Sequence, residues 1–161
     1  VLATSSLGII LAAPVTGRLA GRLSAERLCL IGMGCVALGQ AAIALGAARV
    51  SIGWMALAFF LQGVGVGAFQ TAYLDVVTAT LPVAERGVAG ALGMLTRTFG
   101  TVSGATLLML AYASLRDWGL AQGWAEQEAF LFGLRFGFAC AAAIPAALIV
   151  LVLLRGGRWL R

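Results

Sequence analysis

Five long apolar runs separated by short polar breaks constrain this chain more than any other feature. The runs fall at about 1–16, 28–48, 54–80, 87–114 and 129–154. All but the first reach the roughly 20 residues that an α-helix needs to cross a bilayer. A membrane β-strand needs only about 9–11 residues and alternates with period two. No such alternation persists here, so the runs predict helices. The first run is short for a span and lacks the basic start and cleavage site of a signal peptide. It begins at Val1 rather than at a methionine. We therefore expect it to be the remaining part of a span, and the chain to be a C-terminal part of a longer one.

Composition closes off the soluble alternatives. Of 161 residues, 61% are hydrophobic and 11% are charged, against about 25% charged in soluble domains. That is too little charge to cover a water-facing surface, and too much apolar matter for a disordered chain. Histidine, lysine and asparagine are absent. Without histidine there is no Ser-His-Asp or Cys-His arrangement and no imidazole metal ligand. Cys29, Cys35 and Cys140 all lie in apolar runs with no CxxC spacing, which reads as small buried hydrophobes. No metal site, cofactor or nucleic-acid partner is expected.

The breaks carry a topology signal. Those after the first and third runs, together with the tail, hold Arg18, Arg22, Arg27, Arg86, Arg155, Arg158 and Arg161. The opposite breaks hold Arg49 and Arg116, with Asp117, Glu126 and Glu128 in the longest, at about 115–128. Cytoplasmic loops are enriched in arginine and lysine, so the first set is expected inside, with a cytoplasmic C-terminus. Trp54, Trp118, Trp124 and Trp159 fall near run ends, where interfacial indoles belong.

Polar groups within the runs are the candidate functional residues. Arg97 lies eleven residues past Arg86, roughly 16 Å at helical rise, near the middle of a hydrocarbon layer about 30 Å thick. A charge facing lipid there costs at least a few kcal/mol. Gly90, Gly93, Arg97, Gly100 and Gly104 share a helical stripe about 80° wide. Arg97 is thus expected in a groove of small residues facing protein or water. It reads equally as a contact for an anion, proton or substrate and as a structural ion pair. Asp75 is the one acid inside a run. A desolvated carboxylate there can carry a proton, pair with Arg97, or reach back to the interface. Gln62, Gln70 and Tyr73 share its run. They read as substrate contacts or as hydrogen bonds between helices. Arg135, near the outer end of the last run, reads as a snorkelling cation.

Gly63-Val-Gly65-Val-Gly67 lacks the strand-turn-helix setting of a dinucleotide fingerprint. Gly63/Gly67, Gly100/Gly104 and Gly133/Gly137 are spaced as small-xxx-small pairs, which allow helices to approach closely.

Four segments in order resemble the second half of the major facilitator superfamily. The break at 17–27 resembles its loop signature, Gly-x-Leu-Ala-Asp-Arg-x-Gly-Arg-Arg, through Gly17, Leu19, Ala20, Arg22 and Arg27; Gly21 stands where the signature has aspartate. Leu61-Gln62-Gly63-Val64-Gly65-Val66-Gly67-Ala68-Phe69-Gln70 is similar to the glycine-rich helix of that half. Pro82-Val83-Ala84-Glu85-Arg86-Gly87 resembles the loop before the penultimate helix. Leu95-Thr96-Arg97-Thr98-Phe99-Gly100, with Gly104, resembles the start of that helix in the multidrug/proton antiporters with fourteen spans.

The resemblance implies an all-α membrane protein, a partial C-terminal bundle of the major facilitator type with about five transmembrane helices. It implies a secondary transporter in a bacterial plasma membrane, exporting small organic molecules against protons by rocking about a midplane site. Its partners would be the lipid bilayer, the first half of the same chain, a small-molecule substrate and protons. Asp75, Arg97, Gln70, Gln62 and Tyr73 would line the substrate or proton pathway. Gly17, Arg18, Gly21, Arg22 and Arg27 would form the cytoplasmic gating loop. The alternative is a small non-transporting membrane protein that assembles through its glycine faces. A membrane-embedded enzyme lacks a cluster of catalytic polar groups.

Overall fold

The structure is a computed structural model that describes residues 2–20, 22–46, 51–80 and 82–155. Among these are five helices and no strand: α1 (Leu2–Ala20), α2 (Ala25–Gly46), α3 (Ile52–Thr80), α4 (Arg86–Ala121) and α5 (Glu126–Leu154). Each is long and apolar enough to cross a membrane. Continuous apolar sequence forces this choice, because only a helix satisfies all its backbone groups within one segment. Pro14 and Pro145 lie inside α1 and α5, as membrane helices tolerate.

The boundaries differ from the apolar runs at two places, for one reason. Hydropathy marks where the apolar layer ends, whereas the helix ends where backbone geometry stops it. The break expected at about 115–128 is mostly helical, since α4 continues to Ala121 and α5 starts at Glu126. Gly123 makes the stop with φ 81°. The Trp124 N–H donates to the Gly119 carbonyl at 3.1 Å and the Gly123 N–H to that of Leu120 at 3.0 Å. This is a Schellman cap, and its left-handed position suits glycine. Similarly, α1 runs through Gly17 and Arg18 to Ala20, and Arg27 lies in α2. The expected gating loop at 17–27 is thus largely helix, with non-helical residues at 22–24. Gly21 itself lies outside the described residues, as do Arg49, Arg158, Trp159 and Arg161.

The helices do not pack in chain order. α3 lies against both α1 and α2, α2 also packs on α5, and α5 on α4. α1 and α2, although joined by a tight turn, scarcely touch. Glycine arrangement explains why α3 sits between them. Gly63 and Gly67 present one side of α3 to Ser5, Ile9 and Ala12 of α1, while Gly65 presents the other to Gly32, Cys35 and Val36 of α2. A methyl group on Gly65 would stand 2.6 Å from the Val36 nitrogen, so only glycine permits this approach. The same device joins α5 to α4, where Ala129, Gly133 and Gly137 receive Gly119, Tyr112 and Leu108. Trp54 ties the start of α3 to α2 by donating to the Ala42 carbonyl at 2.9 Å.

The buried residues are accordingly small. Ala12, Ala44, Ala58, Ala72, Ala129 and Ala142 are buried with Leu28 and Ile43, whereas leucines, valines and phenylalanines cover the outside. Such a surface has no place in water. With five apolar helices of spanning length, it marks an integral membrane protein.

Candidate functional site

α4 is the helix that shapes the site. It has 36 residues, about 54 Å of length against about 30 Å of hydrocarbon. Its distal half is held by α5, while its first half meets the bundle only narrowly, at α3. The contact is Tyr73 against Gly93: a methyl group at Gly93 would lie 3.1 Å from the Tyr73 hydroxyl oxygen. Around that contact the two helices enclose a groove of about 480 Å³, within the range of small-molecule sites.

α3 lines the groove with Val66, Phe69, Gln70, Tyr73 and Leu74, and α4 with Gly90, Gly93, Met94, Thr96 and Arg97. The α3 positions recur at three and four residues, one face of a helix. Phe69 and Tyr73 stack along it, with ring centroids 6.4 Å apart. Successive helices joined by a short turn run antiparallel. Because Tyr73 meets Gly93, Gln70 therefore stands level with Thr96 and Arg97. The Thr96 hydroxyl donates to the Leu92 carbonyl at 2.9 Å, so its proton is already used within the helix. Among the described residues the side chains of Gln70, Tyr73 and Arg97 make no hydrogen bond or ion pair. Apolar walls thus surround three free hydrogen-bonding heads, one of them cationic.

Three expected site residues come together here: Gln70, Tyr73 and Arg97. Gly90 and Gly93 supply the space between them. Gln62 does not join them; it sits against Gly39 at the interface of α2 and α3. Asp75 is exposed and is not among the lining residues. It lies two residues from Tyr73, about 200° around the helix, and does not pair with Arg97. Gly90, Gly100 and Gly104 have no heavy atom within 4 Å of where a side chain would begin. The stripe expected to pack is open on this face. Gly17, Arg18, Arg22 and Arg27 are all exposed at the end of α1 and α2.

Two features escaped the reading of single residues. Phe69, Leu74 and Met94 form the apolar walls; their i, i+3 or i, i+4 relation to Gln70, Tyr73 and Arg97 was the available signal. At the far end, Trp118, Trp124 and Phe132 make a ring cluster with centroids 5.3–6.4 Å apart. Beside it Arg116 and Glu126 form an ion pair at 2.7 Å. Except for Phe132 these lie in the break at about 115–128, where nothing in the sequence showed that the rings meet. Arg135 is exposed and borders a cleft with Phe132 and Phe136.

Comparison with protein-family models, with curated proteins and with solved structures gives no match for this chain.

Proposed function

We propose that these five helices belong to the second half of a secondary transporter of the major facilitator type. In this reading it exports small organic molecules across a bacterial plasma membrane against protons, with the C-terminus cytoplasmic. The observation that carries it is the groove between α3 and α4. Gln70, Tyr73 and Arg97 converge there inside helices of spanning length. Polar groups are costly at that depth and mark transport pathways. The four ordered sequence segments that resemble the superfamily support the same reading. So does the arginine excess in the breaks after the first and third apolar runs and in the tail. The exposed arginines at 18, 22 and 27 would hold the cytoplasmic gate by charge contacts with the first half.

The test is flux in proteoliposomes holding the full-length protein, with an imposed proton gradient and a panel of anionic, neutral and cationic organic solutes. Counter-movement of one class with protons is the expected result. No gradient-driven flux of any class would sink the reading.

One observation favours a second reading, a non-transporting protein that assembles through glycine faces. It is the open stripe at Gly90, Gly100 and Gly104. In that case single-molecule photobleaching gives a fixed stoichiometry above one that Gly100→Leu disrupts. A single step in all particles would remove it.

A further inference from the structure

We infer that the groove between α3 and α4 selects an amphiphilic organic carboxylate, its headgroup on Arg97 and its apolar body along Val66, Phe69, Leu74 and Met94. The inference rests on the proposed pathway being this groove, and it names the class of molecule the groove takes.

The sign of the site comes from its donor set. Arg97 brings five N–H groups and a permanent positive charge. Gln70 adds an amide donor level with Arg97, and Tyr73 a hydroxyl donor about one turn along the groove, and all three are free among the described residues. Thr96 contributes no proton, since it donates to Leu92. Among the described residues no carboxylate lines the groove, and Asp75 faces elsewhere around α3. A cation entering here would meet Arg97 with no acid to screen it, in surroundings of low dielectric where that repulsion is strong. A carboxylate meets a planar fork that binds it in two parallel hydrogen bonds, with further donors beside it. The same low dielectric then favours binding. The walls set the rest of the ligand. From Gly90 to Arg97 the groove runs roughly 10 Å along α4, and apart from the three heads it is apolar. The ligand therefore has an apolar body of about that length and its charge at one end.

The experiment is equilibrium binding to the full-length protein in phosphatidylcholine nanodiscs, with empty nanodiscs as blank. The probes are a dansylated undecanoate, its methyl ester and the matching dansylated undecylammonium. The carboxylate is expected to bind about tenfold or more tighter than either analogue, the range of a charge-assisted hydrogen-bond set. Arg97→Gln should erase that preference and Arg97→Lys should keep part of it. Arg135→Gln, outside the groove, should leave it unchanged. Because Arg97→Gln removes a charge from within a helix of spanning length and can disturb folding, Tyr73→Phe gives a second reading. It deletes one hydroxyl and should lower the preference about threefold or more.

Equal affinity for the three probes would overturn the inference. So would a preference that survives both Arg97→Gln and Tyr73→Phe. Displacement of the carboxylate by phosphatidylglycerol, lost in Arg97→Gln, would also overturn it by assigning the site to a lipid headgroup. Binding and flux fail separately. Coupled flux of cations without carboxylate preference rejects this inference and leaves the transporter. Carboxylate preference without coupled flux does the reverse.

Discussion

At the residue scale, position and partners decide what the intramembrane polar groups do. Arg97 and Asp75 look symmetrical in sequence, one cation and one acid on successive spans. In the fold they part. Arg97 enters a groove with Gln70 and Tyr73, while Asp75 stands about 200° around α3 from Tyr73. They therefore have separable roles. Arg97→Gln in the full-length protein should lower transport about tenfold or more, with Arg97→Lys recovering part, measured as initial flux in proteoliposomes. Unchanged flux would remove Arg97 from the pathway. Asp75→Asn should change the dependence of transport on the proton gradient with little change in ligand affinity. An unaltered pH profile would reduce Asp75 to a structural polar group.

At the element scale, glycine has two environments that spacing alone does not separate. Gly63, Gly65 and Gly67 lie in contact with backbone of α1 or α2. Gly90, Gly100 and Gly104 meet nothing within 4 Å. Side chains added at the two sets should behave differently. Gly65→Val forces α2 and α3 apart and should cost about 1–3 kcal/mol, seen as a lower unfolding midpoint in mild detergent. Gly100→Val adds only helix propensity terms and should change stability by less than about 1 kcal/mol. A large loss at Gly100 would reveal a covering partner on that face. Helix ends obey a similar distinction. The apolar run of α4 stops near 114, but the backbone continues until Gly123 turns it. Arg116 and Asp117 leave the apolar layer without leaving the helix.

At the scale of the whole molecule, two ends of opposite character emerge. Arg18, Arg22, Arg27 and Arg86 gather near one end, and the Trp118, Trp124 and Phe132 cluster with the Arg116–Glu126 pair occupies the other. By the positive-inside rule, the proposed orientation puts the arginine end in the cytoplasm. With the native cysteines replaced, an impermeant maleimide should label Ala125→Cys from outside whole cells. Ala84→Cys should react only after permeabilisation, and the reverse pattern would invert the proposed topology. Much of this was legible in sequence. Run length and composition determined five apolar helices, because an apolar segment in lipid has only the helix to satisfy its backbone. The first run is short for a span, and α1 reaches spanning length because its helix continues to Ala20. The motif at 63–67 showed that α3 approaches its neighbours closely. Which neighbours, and in what order, was decided only by the tertiary structure, since glycine spacing allows contact without naming a partner. The same holds for the groove. Sequence gave Gln70, Tyr73 and Arg97 as candidates along with Gln62 and Asp75. Only the packing of α3 against α1 and α2 turned Gln62 into an interface and left one face of α3 open to α4. Periodicity places residues on a face, but the contacts of the other helices determine which face remains free.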